Sequence, residues 1–226
     1  MQMSPSTPPS TLTTTSYAVL SLLGVQDWSA YELVREMERG WYDIWPRAIS
    51  GVYREPKKLV DHGYATNRVE YTGERARTIY SITPEGRAAL RDWFAQPADD
   101  PKLEAEVVLR AAFAEYGTVE DLLAAVHQVR AFAVARSRVY LAIGDEYRET
   151  GPRFPERLHS IMLVGGFLAR YFAALVDWAD WVEAEVDAWS GVTSTDAVPD
   201  LHALMADVRR RFEANAARSR SSAGAC

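Results

Sequence analysis

The chain has 226 residues, 48% hydrophobic and 25% charged, with a net charge of −6. That length allows one large or two modest domains with a sizeable core, and the composition is that of a soluble globular protein. One cysteine, Cys226, excludes an internal disulfide framework and a multi-cysteine metal site, and makes a reducing cytoplasm the expected compartment.

Residues 1–15, rich in Ser, Thr and Pro, are expected to form a disordered tail, and they lack the basic and apolar regions of a secretory signal. A first helix over about 16–23 puts Tyr17, Leu20 and Leu23 on one face, and Gly24 closes it. Ser29-Ala30-Tyr31-Glu32 is a capping box; the helix it opens buries Ala30, Leu33, Val34 and Met37 and ends at Gly40. Trp41, Tyr42 and Trp45 then read as packing between the second and third helices.

The stretch 45–86 has a character of its own. In a helix over about 47–62, Ile49, Val52, Pro56, Leu59 and Val60 form one apolar stripe. Ser50, Tyr53, Arg54, Lys57 and Lys58 fall on the opposite face, and Pro56 should kink the helix. Residues 64–71 and 75–82 are extended in character, with Thr72-Gly73-Glu74 as the turn. Alternation puts Arg75 and Arg77 on one side of the return strand, Tyr80 and Ile82 on the other. Thr83-Pro84-Glu85 starts a fourth helix to Phe94 that carries Leu90, Trp93 and Phe94 inward. Between Arg47 and Arg91 nine Lys/Arg face five Asp/Glu, so positive charge gathers where a phosphate backbone needs it.

The second half differs in kind. A helix is expected over about 102–116, with Leu103, Val107, Val108, Ala111, Ala112 and Phe113 apolar. Thr118 caps a long helix whose seam runs Leu122, Val126, Val129, Ala133, Arg136, Tyr140, Ile143, Tyr147, and residues 151–155 break it. The next helix carries the seam Leu158, Ile161, Gly165, Leu168, Phe172, Leu175, Ala179, Val182, Val186, Trp189. An antiparallel pair follows, and the apolar remainder of the second helix calls for further partners. No uninterrupted apolar run reaches membrane length; 161–176 is broken by Arg170 and two glycines. Asp200 is read as the cap of a final helix carrying Leu201, Leu204, Val208 and Phe212, with a loose tail after Asn215.

Helix, basic hairpin, helix is the order of a winged helix-turn-helix, and at these residues the chain resembles the PadR-like transcriptional regulators. Ser29-Ala30-Tyr31-Glu32-Leu33 stands where that family has His-Gly-Tyr-Glu-Leu. Ser50-Gly51-Val52-Tyr53 resembles its Ser-x-Gly-x-Ile-Tyr-Pro pattern, with Arg54 in place of the proline. Leu59 to Gly63 resembles its Leu-Glu-x-x-Gly close. The wing, Arg75-Ala76-Arg77-Thr78-Ile79-Tyr80-Ser81-Ile82-Thr83-Pro84-Glu85-Gly86, resembles its Arg-Pro-Arg-Lys-x-Tyr-x-Leu-Thr-x-x-Gly and is the most specific match. The resemblance covers about 16–94 and implies a repressor that dimerises through its C-terminal helices.

The expected architecture is mainly α: a tail (1–15), a winged helix-turn-helix with a two-stranded wing (16–96), a linker (97–101), an antiparallel helical dimerisation and effector domain (102–217) and a loose tail (218–226). Tyr53, Arg54 and Lys57 are candidates for base edges or flanking phosphates, with Ser50 beside them. Lys58 is assigned to phosphate, and Arg75 and Arg77 to the backbone or a narrow minor groove. Tyr31 is open between a phosphate contact and a core role. Dimerisation is assigned to Leu158, Ile161, Leu168, Phe172, Leu175 and Val182. Trp93, Phe167, Tyr171, Trp178 and Trp181 either pack the dimer or line a pocket for a small apolar or aromatic ligand.

The expected partners are double-stranded DNA, a second copy and such a ligand, with no cofactor and no membrane. His62, His127, His159 and His202 show no metal-ligand spacing, and no phosphate loop or nucleophile elbow occurs, so an enzyme is not expected. His62 reads as a last-turn residue facing the helix carbonyls. The alternative is a helical sensor or protein-binding adaptor without specific DNA binding.

Overall fold

The computed structural model describes residues 12–46, 51–187, 189–193 and 201–222, with the side chains of 72, 201 and 218–222 excepted. The chain divides into two compact units, Met1–Pro101 and Lys102–Cys226.

The first unit opens with α1 (Thr14–Val25), entered through a capping box between Thr13 and Ser16. Gly24 lies inside this helix, which runs one residue further than a glycine stop would allow. Strand β1 (Trp28–Ser29) and helix α2 (Ala30–Gly40) follow, with Ser29 and Glu32 forming the expected reciprocal cap. Val19, Leu20, Leu22 and Leu23 of α1 are buried, as are Leu33, Val34 and Met37 of α2. Trp28 joins this core, its Nε1 donating to the Leu22 carbonyl at 2.8 Å. Tyr42 and Trp45 depart from the packing role expected of them: both are exposed, and Trp45 Nε1 reaches Thr15 Oγ1.

The third helix is also not the single kinked helix expected. Gly51 and Val52 are helical, Tyr53 and Arg54 form a turn, and α3 (Glu55–Asp61) starts afresh. Pro56 explains the break. In the first turn its missing N–H is no loss, whereas mid-helix it would remove a bond and collide with the preceding turn. Arg47, Ile49 and Ser50 lie outside the described residues.

Strands β2 (Ala65–Thr72) and β3 (Arg75–Ile82) pair antiparallel with Thr72 opposite Arg75. Gly73 has φ +63 and Glu74 has no positive φ, the sign pattern of a type II′ turn with glycine first. The sheet has three strands in the order β1-β3-β2, because Trp28 and Ser29 pair with Tyr80 and Ile79. Helix α4 (Pro84–Phe94) is capped by Thr83. Trp93 stacks flat on Tyr17 at 4.8 Å, but Phe94 points outward and is 73% exposed, against expectation.

In the second unit the expected helix over 102–116 shortens to α5 (Glu106–Ala112) and a 3-10 turn (Ala114–Tyr116). Leu103, Val108 and Phe113, assigned to its apolar face, are exposed. Long helix α6 (Val119–Thr150) starts from a capping box between Thr118 and Asp121 and stops at Gly151, φ +78. After a 3-10 turn (Pro155–Arg157), α7 spans Leu158–Val186.

The two helices run antiparallel. Leu122 and Val126, early in α6, cluster with Ala179, Val182 and Val186, late in α7. Further along, Phe132 and Tyr140 flank Phe172 at 6.1 and 6.0 Å. Val107, Ala111 and Ala114 of the preceding segment cover the end of this cluster. A last helix, α8 (Leu201–Ser222), continues past Asn215, where a loose tail was expected; Asp200, read as its cap, lies outside the described residues. Among the described residues, Pro155–Val186 is long and apolar enough by length and composition to cross a membrane, with 11% of its most apolar window buried in the chain.

Candidate nucleic-acid interface

The described end of α3 is held from two sides. Glu55 Oε2 accepts a 2.7 Å hydrogen bond from the buried Ser16 hydroxyl, which fastens the start of α3 to α1. The helix closes with a Schellman motif: Tyr64 N–H donates to Leu59 O at 2.9 Å, Gly63 N–H to Val60 O at 3.0 Å, and Gly63 takes φ +80. His62 Nδ1 lies 2.6 Å from the Lys58 carbonyl, the last-turn position read from the sequence. From there the wing begins directly, so the inward-facing Pro56 and Leu59 set which side of α3 faces solvent.

That outer side carries Tyr53, Arg54 and Lys57, all exposed. Tyr53 and Arg54 occupy the turn before α3, and Lys57 stands in its first turn. Lys58 behaves differently. It is only partly exposed, and its Nζ turns back toward Glu55 Oε2 (3.7 Å) and Ser16 Oγ (3.4 Å). Tyr31, in the first turn of α2, is 62% exposed, which favours the contact role over the core role. Ser50 is outside the described residues.

On the wing the two predicted arginines part company. Arg75 is exposed beside the turn, with no ion pair among the described residues. Arg77 is engaged: its Nη2 donates to Glu70 Oε2 at 3.1 Å, and its Nη1 lies 3.6 Å from Glu32 Oε1. Sequence reading missed Arg68, the other end of this network. Its Nη1 donates to Asp27 Oδ2 at 2.7 Å and to Ser81 Oγ at 2.9 Å, and its Nε to Glu70 Oε1 at 3.0 Å. The signal lay in the register: a turn at Gly73-Glu74 pairs Glu70 with Arg77 and places Arg68 on the same face.

These bonds move the carboxylates. Hydrogen bonds from Arg68, then Arg77, hold the Glu70 carboxyl below its ordinary value. At Asp27 burial pulls upward, but the hydrogen bonds with Arg68 and Ser81 outweigh it and the net shift is downward. All are ionised near neutral pH.

The residues assigned to dimer and effector roles are distributed as follows. Leu168, Phe172 and Val182 are buried between α6 and α7 of one chain, so they close that pair and are unavailable to a second copy; Leu158, Ile161 and Leu175 are partly buried. Phe167, Tyr171, Trp178 and Trp181 recur at spacings of four, seven and three, making a stripe along one flank of α7. Phe167 is 62% exposed and parallel to Tyr171, whereas Trp178 packs on the α6–α7 core. Trp93 belongs to the first unit, on Tyr17. Two shallow depressions lie elsewhere, one along α8 at Leu204, Val208 and Phe212, the other at Leu103, Val108 and Leu109. Among the described residues no group of His, Cys, Asp or Glu is placed to hold a metal ion.

A capped helix pair, a short third helix with a cationic outer side and a three-stranded hairpin sheet make the first unit a winged helix-turn-helix. Residues 19–92 match the model of the transcriptional regulator PadR-like family. Its members and the similar proteins found are transcriptional regulators, not enzymes. The negative transcriptional regulator PadR of Bacillus subtilis is 30% identical over 99 residues, which span 43% of this chain and 54% of that protein. A probable transcriptional regulator of Mycobacterium tuberculosis is 28% identical over 182 residues, 74% of this chain and 94% of its own. In fold, the chain resembles Bacillus subtilis PadR solved with operator DNA (TM-score 0.65, 21% identity, 76% of this chain and 98% of that one). It also resembles the same regulator solved with p-coumaric acid (TM-score 0.57, 20% identity, 76% and 98%).

Proposed function

We propose that the chain is a sequence-specific DNA-binding transcriptional regulator that acts as a homodimer and, like the negative regulator it resembles, represses. The observation that carries this reading is the exposed Tyr53, Arg54 and Lys57 at the start of α3, beside a wing tipped by Arg75, in a chain whose net charge is −6. A local excess of positive charge in a protein of net charge −6 directs it to phosphate there and discourages adhesion elsewhere. A dimer sets two such faces into successive major grooves about 34 Å apart, so the operator is a rough palindrome.

The second copy covers the exposed flank of α7, at Leu163, Phe167 and Trp181, in place of the buried seam. That assignment also accounts for a membrane-length apolar helix in a cytoplasmic protein, because a helix apolar beyond one seam needs a second partner. The same aromatic flank is a surface for a small aromatic ligand. Such a ligand acts only by its differential affinity for the DNA-competent and DNA-incompetent dimers.

The test is fluorescence anisotropy on duplex DNA from upstream of the protein's own gene, from about 50 to 200 mM salt. Specific binding that weakens steeply with salt, and falls in Arg54→Ala and Arg75→Ala, supports the reading. Weak, salt-insensitive binding that neither substitution alters overturns it and favours a helical adaptor or sensor.

A further inference from the structure

The face of the wing turned toward α2 is built differently from the rest of the basic surface. Cross-strand register puts Glu70 opposite Arg77 and Arg68 opposite Ile79, so Arg68, Glu70 and Arg77 share one face. Glu70 divides its oxygens between the two guanidiniums, Oε1 to Arg68 and Oε2 to Arg77. Asp27 and Glu32 close the ends of the array. Glu32 is itself fixed, because its Oε2 accepts the Ser29 N–H and hydroxyl in the α2 capping box, both at 2.8 Å.

Two cations thus face three carboxylates. Arg68 is close to saturated: Nε and Nη2 go to Glu70, and Nη1 to Asp27 and Ser81. A guanidinium has five N–H donors, and with four of them engaged it has only one Nη2 N–H left to present to a phosphate. Arg54, Lys57 and Arg75 carry no such restraint among the described residues. The array is also exposed, with side chains 35–49% accessible, so a phosphate can compete for the same donors.

We infer that Glu70 is a specificity-determining positioning residue that keeps Arg68 and Arg77 off phosphates at random sequence. The inference rests on the DNA-binding reading above. At nonspecific DNA only the unrestrained cations contribute, and Glu70 adds a repulsive charge. At the operator, where α3 is seated in its groove, phosphates brought against the wing replace Glu70 as acceptor. The cost of opening the array is therefore repaid at the right site alone, which is discrimination by penalising the wrong partner.

The test compares full-length wild type, Glu70→Gln and Glu74→Gln on an operator duplex and on a scrambled duplex across the same salt range. Glu74 sits in the wing turn, so its substitution removes the same charge from the same hairpin outside the array. For Glu70→Gln the expected result is several-fold tighter binding to scrambled DNA. Its log–log salt slope should be steeper by about one to two units, near 0.9 for each arginine freed. Affinity for the operator changes less, so the specific-to-nonspecific ratio falls; Glu74→Gln lacks the slope change, and adding Arg68→Ala and Arg77→Ala to Glu70→Gln abolishes it. An unchanged or shallower slope in Glu70→Gln, or an equal change in Glu74→Gln, overturns the inference while wild-type binding stands. Wild type that binds neither duplex overturns the DNA-binding reading and this inference with it.

Discussion

Gly86 stands directly against the Tyr64 carbonyl: a Cβ built on it would lie 2.2 Å from that oxygen and 2.9 Å from Ile82 Cγ1. The same corner is bonded through Thr83. Its N–H donates to the Tyr64 carbonyl at 3.1 Å, its hydroxyl donates to Gly63 O at 2.8 Å, and that hydroxyl accepts the Gly86 N–H at 3.0 Å. The end of α3, the end of the wing and the start of α4 are therefore one joint, and the glycine of the Thr-x-x-Gly motif is there for space.

Gly86→Ala should destabilise the first unit by about 1–3 kcal/mol, the range for forcing extra volume into a packed site. Since the nearest atom belongs to the backbone, relief requires moving the joint. Urea unfolding gives the loss as a lower midpoint, and DNA affinity should fall along with it.

Gly63→Ala isolates backbone conformation from crowding. Gly63 has φ +80, yet its missing Cβ would meet nothing within 4 Å. The left-handed conformation alone should cost about 1–2 kcal/mol, read from the same unfolding curve.

Phe172 and Phe167 separate the core of the helix pair from its outer flank. Phe172 is 2% exposed among Phe132, Tyr140 and Tyr171, so Phe172→Ala should cost about 3–5 kcal/mol through the cavity it leaves. Phe167→Ala should change monomer stability by roughly 0.5 kcal/mol or less. If the flank is the dimer surface, sedimentation velocity will show the second variant dissociating at concentrations where wild type is dimeric.

Between α6 and α7, Glu183 accepts from Arg130 and His127, and Arg130 also pairs with Asp180 at 2.7 Å. The Arg130 hydrogen bond holds the Glu183 carboxyl down to about 2, with burial opposing and His127 adding to the effect. A folded-state value below the unfolded one, near 4.5, means stability that is complete above about pH 4.5 and is lost as pH falls toward about 2. Glu183→Gln should therefore be less stable than wild type at neutral pH and show a flatter decline over that acid window, followed by thermal melts.

Much of this was legible in the chain. Ser29-Ala30-Tyr31-Glu32, the Gly73 turn and Thr83-Pro84 are local devices, each satisfying backbone groups within four residues, so their positions follow from residue identity. The seams of α6 and α7 were readable for the same reason, since helical period alone brings Leu122 and Val126, or Ala179, Val182 and Val186, to one side. Other outcomes required the neighbours. Phe94 and Leu103 carry the same apolar signal as Leu20 or Phe172, yet they lie exposed, because hydrophobicity states a preference and only packing supplies the partner.

The sequence by itself determined a capped helical domain with a basic hairpin, followed by a long helix pair, and it placed the surplus positive charge. Only the tertiary structure decided which charges are free. Arg75 and Arg77 are indistinguishable by spacing, but strand register sets Arg77 against Glu70 and Glu32, and chain folding brings Asp27 to Arg68 across 41 residues. Helix period and capping act over a few residues. Pairing of charges depends on through-space distance, which no local pattern encodes.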